Sequence, residues 1–381
     1  MKGILVTSLL LLCTLYSFGQ QAAASDDATL LEYYQDQRFG DAADYLKKIH
    51  PEPVSDLKTL KSLAYVSLMA NRLPDAESYY QRVYEADTSG WNVLLSLGSI
   101  NLRRGNSAKA KVYYLKVLEK DSTNFSVYKQ LARISFDATD LAGYQKYLDK
   151  ANQLNNTDAD VAAELSDLYV TMKLNPKAEQ VLSKAIEADP ENVVLQESLL
   201  KLVYAQLKWS ETVIVGEKLM QLGDMAPPIL SKVGQAYYNL KNYQCGIETL
   251  TAIEANAQNE TTFYFTAACY KQLHNQTKAI AYFKRSVEAG ISPNIDSYYS
   301  EMADSYGIMK NHSKAIASYQ KALQFDQKPM TYYAIANLYD TELKDKKSAI
   351  KYYKKYLAAK PPVKQQSYIA YTKSRIAVLN N

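Results

Sequence analysis

Glycine and proline are scarce in this 381-residue chain, at 13 and 11 residues. Turn-rich β architectures depend on these two residues, so their scarcity disfavours a sandwich or barrel. Three cysteines and three histidines leave little material for a metal or thiol centre. The 44 basic and 40 acidic residues give a net charge of only +4, and that balance argues against a dedicated nucleic-acid binder.

The remaining composition is that of a folded protein. Hydrophobic residues make up 47% of the chain and charged residues 22%, which excludes disorder for the bulk of it. Tyrosine is in excess, with 33 residues against 8 phenylalanines and 2 tryptophans.

The first residues read as a secretory signal. Lys2 is followed by an almost unbroken apolar run over residues 3–16, and small residues precede Gln20. We expect residues 1–19 to be a signal peptide, cleaved before Gln20, with residues 20–25 as a short lead. A retained anchor and a lipoprotein at Cys13 are alternatives. The run is short for a span of about 20 residues, and Leu12 stands where lipidation needs a small residue.

Export predicts a periplasmic or envelope-associated protein, with secretion as the alternative. No later segment is apolar enough to span a bilayer. Cys245 and Cys269 remain after cleavage. An exported protein can form a disulfide, but their spacing does not demand one, and two free thiols are the expectation.

The chain repeats itself with a period of 34 residues. A small residue, a bulky residue four on and an apolar or small residue three beyond that recur through the chain, and seven of the nine intervals are 34. The first position of this motif is occupied by Ala42, Ala76, Ala110, Tyr144, Ala178, Thr212, Gly246, Ala279, Ala315 and Ala349.

A second motif of a bulky and then a small residue lies about thirteen residues upstream in the same phase. The two motifs together therefore predict that each unit contains two amphipathic helices of about 14 residues joined by short turns. We expect the small residues of the paired helices to face each other, so that the axes approach within about 8–10 Å. The second motif reads Leu63-Ala64, Leu97-Gly98, Leu131-Ala132, Leu165-Ser166, Val233-Gly234, Thr266-Ala267, Met302-Ala303 and Ile335-Ala336, with Leu199-Leu200 as the exception.

These motifs resemble the tetratricopeptide repeat family. The fifth unit matches best, through Leu165, Ser166, Tyr169, Ala178, Leu182, Ala185 and Pro190. The resemblance implies an all-α, right-handed superhelix of about ten stacked helix-turn-helix repeats over residues 26–361, ended by a capping helix over residues 362–381. The sixth unit departs most from the pattern, with Leu200, Thr212 and Gly216 at small or aromatic positions. In the capping helix, Lys373 and Arg375 are expected to point away from the apolar stripe.

No residue pattern indicates catalysis. His50, His274 and His312 lie near the turns of three different units, and none has a second ligand at metal-binding spacing. There is no glycine-rich phosphate loop after a strand and no nucleophile elbow. We therefore predict a protein that is not an enzyme and has no cofactor or metal.

The resemblance also implies that the first helix of each unit lines a concave groove that holds the ligand. Helical spacing places charged residues on that face, basic in the earlier units and acidic beyond them. Lys129 and Arg133 are four apart and share a face; a solvated face with chance clustering is the alternative. The charged positions are Lys58, Lys61, Arg103, Lys129, Arg133, Asp160, Glu164, Asp167, Glu301 and Asp304.

Several tyrosines also project from first helices toward the expected groove, and tyrosine is a frequent residue of binding surfaces. The candidate peptide-binding residues are Lys61, Tyr65, Arg103, Lys129, Arg133, Asp167, Tyr204 and Tyr238. The expected function is a non-catalytic, protein- or peptide-binding scaffold of the cell envelope, without a nucleic-acid partner. A glycan-binding module that uses groove tyrosines and an envelope assembly subunit that uses its convex face are the alternatives.

Overall fold

The computed structural model describes residues 28–290 and 294–380, and in these ranges every regular element is helical. The all-α repeat fold expected from the sequence is confirmed. The expected signal peptide and lead, residues 1–25, lie outside the described residues. None of the described helices is both long enough and apolar enough to cross a bilayer.

The chain divides into two compact units, Met1–Val161 and Ala162–Asn381. In the first unit, residues 28–35 are helical and seven helices follow. They are α1 Phe39–Ile49, α2 Leu57–Met69, α3 Leu73–Ala86, α4 Trp91–Arg103, α5 Ser107–Lys120, α6 Phe125–Asp137 and α7 Leu141–Leu154. The boundary between the units falls within the next helix, α8 Ala159–Thr171.

The second unit continues the alternation to the end of the described chain. A short π-helix, Leu338–Glu342, extends α18, and a 3₁₀ turn, Val363–Gln365, precedes α20. The helices are α9 Asn175–Ala188, α10 Val193–Ala205, α11 Trp209–Gln221, α12 Pro227–Asn239, α13 Tyr243–Thr251, α14 Glu260–Gln272, α15 Gln276–Ala289, α16 Ile295–Ile308, α17 His312–Ala322, α18 Pro329–Asn337, α19 Lys346–Ala358 and α20 Gln366–Leu379.

The small residues that recur with the repeat period lie in the buried interface between the two helices of each unit, which we call the seam. The even-numbered helices α2 to α18 are the first helices of their units, and the odd-numbered helices α1 to α19 are the second. Every residue at the ten small positions of the second helices is buried, from Ala42 to Ala349, including the large Tyr144. The small positions of the first helices, from Ala64 to Ala336, are buried as well. The predicted pairing is therefore confirmed by burial.

The two helices of a unit approach each other closely through two kinds of contact, and the sequence predicts only one of them. A methyl group added at Gly246, on a second helix, would lie 3.4 Å from the carbonyl oxygen of Gly234 on the first helix, as expected for small residues that face each other. A methyl group added at Gly98, however, would lie 2.6 Å from the ring of Tyr114. The small residue of a first helix thus also makes room for the bulky residue of the second helix.

The irregular sixth unit compensates for its missing bulky residue. Gly216 stands where the other units carry Tyr, Leu or Phe, and an added methyl group would meet Cγ2 of Val233 at 2.1 Å. Val233 is fully buried and belongs to α12, the first helix of the next unit. The side chain of the following repeat therefore fills the space left by Gly216.

We predict that Gly216→Leu, which restores the usual bulky residue, will destabilise the protein by about 1–3 kcal/mol through overpacking. Combining it with Val233→Ala should recover part of that loss, since the removed methyl groups free the space. Urea unfolding of the two single variants and the double variant measures the coupling. Strictly additive losses would show that the two side chains do not compete for one space.

The units before the π-helix also turn between their helices in the same way. One residue adopts a left-handed conformation, and the backbone closes around it with a pair of hydrogen bonds; at Thr139, these run from Thr139 N–H to the Phe136 carbonyl and from Asp140 N–H to the Ser135 carbonyl. The left-handed positions keep the repeat phase and are Gln37, Asn71, Gly105, Thr139, Lys173, Leu207, Lys241, His274, Lys310 and Lys344. Only Gly105 is a glycine among them.

We predict that Thr139→Gly will stabilise the protein by about 1 kcal/mol, because a β-branched residue is strained in this conformation and glycine is not. Thr139 is exposed, so few side-chain contacts are lost. The matched reverse change, Gly105→Thr, should lower stability by a similar amount. Thermal unfolding of both variants checks the pair; a loss of stability in Thr139→Gly would contradict the strain argument.

The last described helix, α20, packs on α19 and carries buried Thr372 and Leu379. The expectation that Arg375 points elsewhere is wrong. Its guanidinium donates to both carboxylate oxygens of Asp340, at 2.7 and 2.8 Å, and the Asp340 side chain is buried. The Arg375 partner holds the pKa of Asp340 below its usual value against the effect of burial. This bidentate pair ties α20 to the preceding repeat.

Candidate peptide-binding surface

An open apolar cavity lies against α2, in the first unit. The face of α2 opposite its buried residues supplies part of its wall, and two aromatic residues from the preceding chain supply the rest. Its volume is about 680 Å³, within the range typical of ligand pockets. The lining residues are Tyr34, Phe39, Leu57, Lys58, Lys61, Ser62 and Tyr65.

Three rings give this cavity its shape. The centroid of the Tyr65 ring lies 6.2 Å from that of Tyr34 and 6.1 Å from that of Phe39, which meets it edge to face. Tyr34 and Phe39 are half-buried, whereas Tyr65 keeps 45% of its surface exposed. Burial, and then the neighbouring Tyr65, raise the pKa of the Tyr34 hydroxyl, so Tyr34 is neutral at physiological pH. The cavity therefore offers rigid aromatic walls to an apolar group.

Two lysines line the same cavity. Lys58 and Lys61 are exposed, and neither forms an ion pair with any residue in the described ranges. They lie three residues apart on α2, one turn of the helix. The cavity thus combines aromatic walls with two positive charges that are available to a ligand.

The other basic candidates of the first unit are occupied by neighbours. Arg103 donates to the side-chain oxygen of Asn71 at 2.8 Å, and Arg133 pairs with Asp137, four residues on, at 3.2 Å. Arg133 is still 70% exposed. These two residues therefore lie on the surface, as expected, but each already has a hydrogen-bond partner.

Lys129 is the most strongly engaged of them. Its ammonium lies 3.2 Å from carboxylate oxygens of both Asp158 and Asp160, and 5.5 Å from the centre of the Phe125 ring. Burial opposes the charged form, but the two carboxylates outweigh it, and the pKa of Lys129 is raised. Lys129 links α6 to the start of α8, in the next repeat, so it is less free for a ligand than a solvent-facing lysine.

The candidates of the second unit are likewise held by contacts within it. Asp167 forms an ion pair with Lys201 at 2.5 Å. The hydroxyl of Tyr204 donates to the side-chain oxygen of Gln235 at 2.7 Å. The ring of Tyr238 packs against those of Phe265 and Tyr243, with centroids 5.4 and 5.9 Å away. Of these three candidates, Tyr204 borders a cavity.

That second cavity, of about 450 Å³, is polar. Lys232 is half-buried in it, with its ammonium 5.9 Å from the centre of the Tyr204 ring. Burial, together with the charge of Lys201, lowers the pKa of Lys232. The lining residues are Tyr204, Pro227, Pro228, Ser231, Lys232, Gln235, Ala257, Asn259 and Thr262.

Two carboxyl groups interact near this cavity. Burial, and then a hydrogen bond and repulsion from Asp224, raise the pKa of Glu197. Glu197 lies on α10, one turn before Lys201. A carboxyl pair of this kind is typical of functional sites, although structural networks show it too.

The structure thus brings Lys61 and Tyr65 together in one cavity and places Tyr204 at another. Sequence reasoning missed Tyr34, Phe39, Glu197 and Lys232. The repeat phase carried a signal for one member of this set, because Glu197 stands two repeats of 34 residues after Lys129. Tyr34 and Phe39 precede the regular first helices, so no such signal marked them.

Neither the cysteines nor the side chains that commonly bind metals form a further candidate site in the described residues. Cys245 and Cys269 are both free, and burial raises the pKa of Cys269 to about 12, which keeps it a thiol. In residues 28–290 and 294–380, no three His, Cys, Asp or Glu side chains are grouped as metal ligands would be.

Comparisons with known families agree with this architecture. One family model of the tetratricopeptide repeat matches residues 62–125, and a second matches residues 296–329 and 331–362. The chain contains tetratricopeptide repeats. No curated protein sequence matches it.

Several solved structures are similar to parts of the chain. A tetratricopeptide repeat protein from Parabacteroides merdae shares 13% identity over 65% of this chain and 98% of its own, with a TM-score of 0.44. YrrB, described as a TPR protein with an unusual peptide-binding site, shares 18% over 48% and 94%, at a TM-score of 0.44. PilF of Pseudomonas aeruginosa shares 19% over 56% and 96%, also at 0.44.

We predict that Glu197→Gln will stabilise the protein at neutral pH. The folded pKa of Glu197 lies above its ordinary value of about 4.3, so the folded state binds the proton more tightly, and the free energy of unfolding falls as the pH rises through that window. The amide cannot ionise and removes this loss. The difference from wild type should be present at about pH 7 and shrink toward about pH 4.

Urea unfolding at a series of pH values measures this difference, with Glu191→Gln on the exposed neighbouring turn as the matched control. A Glu197→Gln variant that is less stable than wild type at neutral pH would show that the carboxylate is required as an anion.

Proposed function

We propose that this protein is a non-catalytic scaffold of the cell envelope that binds a segment of a partner protein along its first helices. The single observation that carries the proposal is the aromatic cavity at α2 with Lys58 and Lys61 on its wall. The tetratricopeptide repeats support it, because such repeats generally serve as non-catalytic, protein-binding scaffolds. The envelope location rests on the signal-like residues 1–19.

The chemistry of the cavity defines the segment it would accept. A bulky apolar side chain fits between the rings of Tyr34, Phe39 and Tyr65, since a peptide anchor gains most from a preformed aromatic pocket. An acidic residue or a terminal carboxylate beside that anchor would reach Lys58 or Lys61 and form charge-assisted hydrogen bonds. The favoured ligand is therefore an acidic peptide with a bulky apolar anchor.

A glycan ligand is the second candidate, and the polar cavity of the second unit favours it. Tyr204 offers a ring face there, and Ser231, Asn259 and Lys232 offer polar groups. Some of these polar groups are already used within the cavity, because Gln235 accepts a hydrogen bond from Tyr204 and donates one to Ser231 at 3.1 Å. The α2 cavity has the freer charges, so it supports peptide binding more strongly.

We predict that a displayed library of random peptides will yield, on the wild-type protein, sequences with an acidic residue next to a bulky apolar one. The affinity of a selected peptide should fall about tenfold or more in Tyr65→Ala, which removes an anchor contact. It should fall similarly in the double variant Lys58→Glu and Lys61→Glu and weaken with added salt. Fluorescence anisotropy of the labelled peptide measures each effect.

The matched control reverses two exposed lysines elsewhere in the same unit, Lys48→Glu and Lys109→Glu, and should bind as wild type does. Selected peptides without acidic residues, or equal losses in both double variants, would contradict the assignment of this cavity. Quenching of tyrosine fluorescence by oligosaccharides in the absence of peptide selection would favour the glycan alternative.

A further inference from the structure

The C-terminal part of the chain is strongly basic, although the net charge of the whole chain is close to neutral. Residues 310–381 contain fourteen lysines and arginines against four aspartates and glutamates, a balance of +10, although the whole chain carries only +4. The basic and acidic residues are therefore not dispersed evenly. The expectation of a dispersed balance overlooked this asymmetry, which is visible once the charges are counted by segment.

Half of these fourteen basic residues surround one helix, α19. The lysines in and beside α19 are all exposed, and none of them forms an ion pair within the described ranges. Arg375 and Lys328, by contrast, are neutralised by Asp340 and Asp296. The exposed lysines are Lys344, Lys346, Lys347, Lys351, Lys354, Lys355 and Lys360.

Four of these lysines share one face of α19. Lys347, Lys351, Lys354 and Lys355 follow helical spacing of three and four, so their side chains leave the helix within about a quarter turn of one another. The opposite face is buried through Ala349, Tyr353 and Tyr356. Because the buried face fixes the rotation of α19, the lysine face is held toward solvent.

The preceding repeat offers these four lysines no acidic partner, and the acidic neighbour on their own side is Asp345, whose charge acts on Lys347. In the other parts of the chain, ion pairs form between residues about one repeat apart, as in Lys201 with Asp167. One repeat before the four lysines stand Ser313, Ala317, Gln320 and Lys321. Gln320 does contact α19, donating to the hydroxyl of Tyr352 at 2.9 Å. Elsewhere the preceding repeat supplies a carboxylate that pairs with a lysine. At this face it supplies none, so the positive charges of the four lysines remain without an ion-pair partner in the part of the chain that the structure describes.

The residue types on this face favour a diffuse anionic surface over a nucleic-acid site. All of its charges are lysines, which act as point charges, and the face carries none of the bidentate arginine forks that are preferred for base and phosphate recognition in nucleic acids. Tyr352 lies among them, with Lys355 5.3 Å from its ring centre. Leu343 and Val363, in the connections at either end of α19, are exposed apolar residues next to lysines.

We propose that the lysine face of α19 binds the anionic phospholipid surface of a bilayer. Clustered lysines are attracted to acidic headgroups without requiring a specific geometry, and tyrosine and exposed aliphatic residues suit the interface between headgroups and acyl chains. The binding is electrostatic and peripheral. It does not involve the α2 cavity, so it stands or fails separately from the proposed peptide binding.

The test is co-sedimentation of the full chain with vesicles of phosphatidylcholine alone or with about 30% phosphatidylglycerol. The wild-type protein should bind the acidic vesicles and not the neutral ones, and binding should weaken strongly between about 0.1 M and about 0.5 M salt. Reversal of the face by Lys347→Glu, Lys351→Glu, Lys354→Glu and Lys355→Glu should reduce the affinity about a hundredfold. Circular dichroism of this variant checks that its helices remain.

The matched control carries the same change in net charge at four exposed lysines outside α19, namely Lys48→Glu, Lys109→Glu, Lys150→Glu and Lys284→Glu, and it should keep most of the binding. Equal losses in the two quadruple variants would overturn the proposal, because net charge alone would then explain the attraction. So would wild-type binding that ignores phosphatidylglycerol. Tight binding of a DNA duplex of about 20 base pairs without vesicle binding would assign the face to nucleic acid instead.

Discussion

The close approach of two helices at a small, buried residue is the constraint on which the rest of this structure depends. It recurs in most units, as at Ala110 and Ala178, and it sets which face of each helix is buried; in the sixth unit Leu200 and Thr212 hold these buried positions. That face in turn decides which residues meet the next repeat and which meet solvent. The sixth unit shows how strictly the seam must be filled: where Gly216 leaves a space, Val233 of the following repeat occupies it. Nearest-neighbour packing of this kind passes an irregularity to one adjacent unit and no further.

Charge follows the same periodicity. Lys129 bonds to Asp158 and Asp160, Lys201 to Asp167, and Lys271 to Glu301 and Asp304, all between residues about one repeat apart. Such pairs are partly exposed and contribute little stability individually, but they remove charges from the surface of the first helices. A basic or acidic residue on that surface is therefore available to a ligand only where the neighbouring repeats lack its counter-ion. Lys58 and Lys61 at the aromatic cavity form no close ion pair within the described ranges, and the carboxylate of Asp87 acts on Lys61 only from a longer distance.

Much of the fold could be predicted from the sequence, because burial repeats with the helix period and the small residues mark each seam. The candidate site could be predicted only in part. Helical spacing shows that Lys129 faces the same way as Arg133, but it does not show a carboxylate that arrives from the next repeat. Nor does it show that Tyr34 and Phe39, which precede α2, close a cavity over Tyr65. Arg375 was misjudged for the same reason, since Asp340 reaches it from the preceding unit and not from its own helix.

The two surfaces that remain free differ in what they can recognise. The cavity at α2 is concave and aromatic, with two charges, so its selectivity would come from the shape of one side chain and the position of one acid. The face of α19 presents several exposed lysines along one side of a helix, so it can distinguish a negatively charged surface from a neutral one but is not built to read the order of residues in a peptide. A repeat protein can carry both because each unit is packed through its seam alone, and the solvent-facing positions of one unit are not constrained by those of a distant one. Two ligands of different chemistry are thus compatible with one repeating core.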